Sequence, residues 1–272
     1  MNGIVKNSYQ KLFDLISKNA RQSKSLYQIY KVQQKNKNEF IHIFFENIMK
    51  EGELSDLSDF TNHNKMIFLI EMLFKNTFEA SGGKQYRIYH TKNVAYLSNI
   101  ITHNLNLNQE ERDIVILTAL LHDIGKTDPR FHNVGLEGFS EIERKLGIDH
   151  DEIGAEIAKN LLKVLSFDKD TIEIVVNTIK NKKTSDDIYS KIIFDADNMA
   201  ELGEIEIFRT FYYNSIAGKT LIETINYWFD FNRKIKLSKV NKIKTGDLTK
   251  SLMMKKFNYI DDFMEKAKNS LN

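Results

Sequence analysis

The sequence predicts an all-α protein, and three observations carry that reading. One Pro and 12 Gly in 272 residues are too few for the tight turns of a sheet-rich fold. Leu, Ile, Lys and Glu, which suit helices, fill long stretches of the chain. Apolar residues recur at helical spacing instead of alternating, as at Phe40, Ile43, Phe44 and Met49. With 42% hydrophobic residues the chain can bury a substantial core.

Taken in order, the amphipathic stretches 4–16, 25–34, 38–50 and 64–78 predict an N-terminal helical region over residues 1–83 that carries no chemical motif. Gly52, Asp56 and Asp59 mark a break inside it, and Thr61 or Asn62 offers a cap to the fourth stretch. Ser81-Gly82-Gly83 predicts the boundary, because paired glycines after a helix allow a left-handed cap and a change of direction. The second part, 84–272, opens with a helix from His90 to about Leu105. Asn108 then caps a helix over 111–123, with Glu110 and Glu111 in its first turn. Pro129 forbids continuation. Residues 127–149, with Pro129, Gly135, Gly138 and Gly147, read as a loop-rich lid holding a short helical patch over 141–146. From Asp151 onward, helical runs alternate with Lys-Asn-Ser breaks.

Composition excludes several chemistries. Zero Cys removes disulfides, thiolate metal sites and a cysteine nucleophile together. A net charge of +2 gives no global field for nucleic acid, so a nucleic-acid partner is not expected. The basic run 233–244 reads as a solvated face, with Ile235, Leu237, Val240 and Ile243 turned inward. The first residues lack the apolar core of a signal peptide, and the longest apolar run, 66–74, is far below the ~20 residues that span a bilayer. These features predict a soluble, cytoplasmic chain without a membrane partner.

The chemistry concentrates at Leu120-Leu121-His122-Asp123-Ile124-Gly125-Lys126, where an imidazole and a carboxylate stand side by side at the end of an apolar helix. A polar pair forced to the rim of a core can grip a divalent ion more tightly than water would. His90 opens an apolar-periodic segment upstream, and Phe194-Asp195-Ala196-Asp197 ends an apolar run downstream. His90, His122, Asp123 and Asp197 together form an H…HD…D pattern, and the chain thereby resembles the HD-domain metal-dependent phosphohydrolases. His150 with Gly154-Ala155, and the segment from Asp195 to Phe211 with Gly203, Arg209 and Thr210, fit the same superfamily.

The resemblance implies a helical HD-type catalytic domain with an N-terminal extension, in which His90, His122, Asp123 and Asp197 ligate one divalent metal. Mn is the expected ion, with Fe, Co, Ni, Zn or Mg as alternatives. Asp197 is implied to be the ligand of its cluster, and Asp195 a supporting carboxylate. Two imidazoles and two carboxylates leave coordination positions for a water and a phosphate oxygen. Two-metal relatives carry a further His after an isoleucine in the helix before the Asp cluster. Here the text is Ile179-Lys180-Asn181-Lys182, and Lys182 would repel a second cation. Ala200 stands where nucleotide-hydrolysing relatives have an Asp.

Lys126, three residues past Asp123, is expected to reach a metal-bound phosphate, and His150 to serve acid or hydrogen-bond work. Arg130 and His132 are weaker candidates for contacting an anion, Arg209 is expected to form a structural ion pair, with Asp195 as a candidate partner, or to contact substrate, and His42, His63 and His103 should face solvent. The expected catalytic set is thus Lys126, His150 and Asp123, acting on a small phosphate substrate such as a nucleotide. Two other classes stand beside this reading: a di-iron oxygenase on the same fold, which needs a fuller ligand set, and a non-catalytic sensor of metal or nucleotide.

Overall fold

A computed structural model describes residues 86–128, 131, 139–164 and 167–271. The N-terminal stretches over 1–83, the Gly82-Gly83 boundary, Arg130 and His132 lie outside the described residues. Among those described there is no strand, and no helix is long and apolar enough to cross a membrane.

The helices are α1 (Tyr86–Asn104), α2 (Gln109–Leu121), α3 (Phe139–Leu146), α4 (His150–Val164), α5 (Lys169–Asn181), α6 (Ile188–Ala200), α7 (Glu204–Ile216), α8 (Leu221–Tyr227), α9 (Arg233–Asn241) and α10 (Asp247–Ser270). Their starts follow local side-chain chemistry. Asn108 accepts from Glu111 N while Glu111 reaches back to Asn108 N, a reciprocal cap on α2. Asp168 and Asp187 cap α5 and α6 through Thr171 N and Ser190 N. Before α7 the backbone turns through φ 93° at Gly203, where a side chain would be strained.

The core forms where α1 packs against α2 and α6, and α4 against α5. Val94, Leu97 and Ile101 of α1, Leu117, Leu120 and Leu121 of α2, and Ile192, Ile193 and Ala196 of α6 are all buried. Each such aliphatic side chain removed from water contributes about 1.5–3 kcal/mol before ordering entropy is subtracted.

The α2 helix ends two residues before the sequence pattern suggests. His122 is its C-cap, and Asp123 leaves helical geometry at φ −107°, ψ 8°. A tight 3-10 turn, Ile124–Thr127, follows, closed by Lys126 N donating to Asp123 O and Asp128 N to Gly125 O. Against this turn lies the start of α4. A Cβ built on Gly125 would meet His150 O at 2.0 Å and Gly154 N at 2.6 Å, so two backbones touch where Gly125 tolerates no side chain.

Two expectations need correction. Within the basic run, Val240 is buried as expected, but Ile235 and Leu237 are exposed at 53% and 38%, while Lys236 is buried. Lys236 turns inward because Glu201 and Glu206 await it at 3.2 and 2.9 Å, and Lys239 also pairs with Glu201. Arg209 does not pair with Asp195; it holds Glu206 through two contacts of 2.6 Å, one turn away on its own helix. Asp195 instead accepts from Lys244 N, Thr245 N and the Thr245 hydroxyl, tying the α9–α10 connection to α6. His103 is exposed, as expected.

Two outcomes follow from this packing. Gly125→Ala should cost about 3 kcal/mol, because both colliding partners are backbone, and the urea midpoint should fall without a change in slope. Unaltered stability would mean that the turn and α4 can separate freely. Burial alone would raise the Glu201 carboxyl, but Lys236 and Lys239 hold it down to about 2. A depressed carboxylate stabilises above its unfolded value near 4.5 and loses that contribution as pH falls toward 2. Glu201→Gln should therefore cost about 2 kcal/mol at pH 7, below the range for fully buried pairs, and the gap to wild type should close in acid.

Candidate metal centre

Four elements supply the site: α1, the α2 end with its following turn, the start of α4, and α6. His90 lies one turn into α1, His122 and Asp123 at the break after α2, and Asp197 in the last turn of α6. His90 Nε2 is 3.0 Å from Asp197 Oδ1, and His122 Nε2 is 3.7 Å from the same oxygen. One donor atom from each of these three residues falls within 4.8 Å of the others. Asp123 borders the group, with Oδ1 3.6 Å from His122 Nε2 and Oδ2 3.8 Å from His90 Nε2. The four residues singled out in the sequence therefore converge.

Their chemistry fits a divalent ion. His122 Nδ1 lies 2.6 Å from Ala119 O, and a carbonyl only accepts, so Nδ1 donates there and Nε2 faces the site. His122 Nε2 and Asp123 Oδ1 are buried and make no hydrogen bond. Burial costs such atoms their water without return, and a cation is what would repay it. Burial also lowers the His90 pKa, outweighing Asp197 and Asp123, so its ring is neutral and able to ligate. For Asp123, burial works upward but Lys126, His122, His150 and Arg87 outweigh it, and the carboxyl stays well below its usual range. Asp197 behaves alike through His122 and His90.

Lys126 sits on the 3-10 turn and places Nζ 2.7 Å from Asp123 Oδ2. The sequence expectation of a lysine reaching outward to a phosphate is thus qualified: its first partner is the carboxylate beside it. Arg87 joins at 3.2 Å on the same oxygen, so two cations claim Oδ2 and leave Oδ1 toward the imidazoles.

His150 opens α4 with Nε2 3.6 Å from Asp123 Oδ1 and 3.1 Å from Asp151 Oδ1, while Nδ1 contacts Glu143 of α3. Burial and Lys126 pull its pKa down, but the surrounding carboxylates of Asp123, Asp151 and Glu143 prevail and push it up to about 9. Asp151 in turn holds Lys182 and Lys183, each at 2.6 Å.

Sequence reasoning missed Arg87, Glu143 and Asp151. Arg87 stands one turn before His90 on the same face, a spacing that could have flagged it. Asp151 adjoins His150 but carries no motif weight. Glu143 lies in the segment read as a lid, and nothing in the sequence aims it at His150.

The family model of the HD domain matches residues 87–202. Solved structures with a similar fold include an HD superfamily hydrolase from an uncultured Thermotogales bacterium, at 20% identity and a TM-score of 0.52, covering 77% of this chain and 92% of that one. Bacillus subtilis YpgQ, solved in complex with ADP, matches at 17% identity and a TM-score of 0.53, covering 76% and 97%. An HD-superfamily hydrolase from Bacillus thuringiensis matches at 18% identity and a TM-score of 0.53, covering 77% and 96%. A search of curated proteins finds no match.

A bound ion stabilises only the folded chain. Mn2+ at about 100 times its Kd should add about 2.7 kcal/mol to wild type and raise the thermal midpoint. Asp197→Ala, folded by circular dichroism, should show no such rise; an equal rise in that variant would move the ion elsewhere.

Proposed function

We propose that this chain, whose residues 87–202 match the HD-domain family model, is a metal-dependent phosphohydrolase acting on a nucleotide or related phosphate ester. The observation that carries the reading is the meeting of His90, His122 and Asp197 donor atoms within 4.8 Å, beside an Asp123 oxygen that has no hydrogen bond. In this reading His90, His122, Asp123 and Asp197 hold one divalent ion, Mn or another first-row metal. The ion supplies Lewis acidity: it acidifies a water and offsets charge building on a phosphoryl oxygen.

The remaining work falls to the protein. Lys126, nearly buried, and Arg87, 15% exposed, flank Asp123 and are the cations an arriving phosphate meets. His150, held by Glu143, is protonated across the neutral range and can donate a proton or hydrogen bond to an anionic oxygen. Asp197 is the half-buried ligand, on the side from which substrate enters. A nucleotide is favoured within the phosphate class because YpgQ, a neighbour in fold, was crystallised with ADP.

The test is a nucleotide panel on metal-stripped protein with each divalent ion restored in turn, following phosphate and pyrophosphate separately. Asp123→Ala should lose bound metal and turnover while staying folded; activity surviving that change would remove the proposed site. Lys126→Ala should raise KM about 10- to 100-fold, the worth of a charged hydrogen bond, without emptying the metal position. Loss of metal in that variant would contradict the role given to Lys126.

A further inference from the structure

Beside the His90, His122 and Asp197 group lies a second set of nitrogen and oxygen donors. Asp123 Oδ1, His150 Nε2 and Asp151 Oδ1 follow one another at 3.6 and 3.1 Å. Asp123 borders both sets, since the same Oδ1 is 3.6 Å from His122 Nε2. Two-metal hydrolytic sites hold their ions about 3.5–4 Å apart, and a carboxylate bordering both donor sets is where such a pair would be bridged.

In this chain the second set already holds a cation. Lys182 is the C-cap of α5, and its side chain is 2% exposed, among the largest fully buried in the molecule. Its Nζ lies 2.6 Å from Asp151 Oδ1 and donates to His122 O at 3.3 Å. The packing of α5 on both α4 and α2 brings the ammonium to Asp151 of α4 and to the His122 carbonyl at the end of α2. A buried ammonium is costly unless fully paired, and the end of a helix, with its negative dipole, favours a cation there.

We propose that the Lys182 ammonium occupies the second-cation position of this centre, which therefore holds one divalent ion and one fixed organic cation. A metal at His150 Nε2 and Asp151 Oδ1 would have to expel Lys182 from its ion pair. The assignment rests on the metal reading above but not on the hydrolysis of any substrate.

The experiment titrates the metal-stripped full chain with Mn2+ alone, counting bound ions by mass spectrometry and reading their coupling by electron paramagnetic resonance. Wild type and the charge-retaining Lys182→Arg should bind one ion with an uncoupled spectrum. Lys182→Met and Lys182→His, checked for folding by circular dichroism, should take up a second ion and show a spin-coupled pair. A coupled pair in wild type, or folded neutral variants that stop at one ion, would overturn the assignment. Should neither neutral variant fold, the wild-type spectrum at saturating Mn2+ decides: uncoupled supports the assignment and coupled overturns it. No bound ion at all would overturn the metal reading together with this one, whereas one ion without nucleotide turnover would overturn only the phosphohydrolase reading.

Discussion

The site depends on the meeting of two backbones. Gly125 on the 3-10 turn and the first turn of α4 lie so close that a single methyl group at Gly125 has nowhere to go. That approach sets the distance between the pair His122-Asp123 and His150, residues that belong to different helices and would otherwise be separated by side chains. It also accounts for the early end of α2. A continued α-helix would carry Asp123 round the axis, whereas the bridge-region backbone at Asp123 turns its carboxylate toward α1 and α4 at once.

Around that junction the charges are shared out so that the outer oxygens are satisfied and the inner ones are not. Lys126 and Arg87 take Asp123 Oδ2, and Lys182 and Lys183 take Asp151. Glu143 takes the Nδ1 side of His150 and Ala119 O the Nδ1 side of His122. These partners fix the orientation of their residues, and the atoms remaining toward the centre are ring nitrogens and carboxylate oxygens. Buried acceptors facing one another repel, so the arrangement is at rest only with positive charge among them. The polar residues outside the ligand set are therefore part of what shapes the site, although each touches only its neighbour.

Much of this was legible in the sequence. The helical fold follows from periodicity and the scarcity of turn residues, and Asn108 with Glu111 announces the start of α2. His122 and Asp123 stand out because they break an apolar run that must be buried, whereas joining them to His90 and Asp197 as a set rests on the resemblance to the HD pattern. What was not legible depends on contacts between distant segments. Arg209 selects Glu206 over Asp195 because the former is one turn away on its own helix while Asp195 is taken by the backbone at 244–245. The inward face of α9 was misread because Ile and Leu outrank Lys in hydrophobicity, yet Lys236 finds two carboxylates and Ile235 and Leu237 find solvent. Periodicity assigns a face by polarity, and a buried ion pair reverses that assignment.

The two kinds of cation proposed for the centre would have different uses. A divalent ion both attracts oxygen and acidifies the water it holds, and its occupancy depends on supply and on the protonation of its ligands. An ammonium attracts oxygen but acidifies nothing, and it is present whenever the chain is folded. With Lys182 fixed on Asp151, the proposed water activation would fall to one position, bordered by the half-buried Asp197. The ammonium is left to hold Asp151, and through it His150, against the pull of whatever ion arrives. Such a division would cost the site a second activating ion and would give it a geometry that does not depend on how many metals are bound.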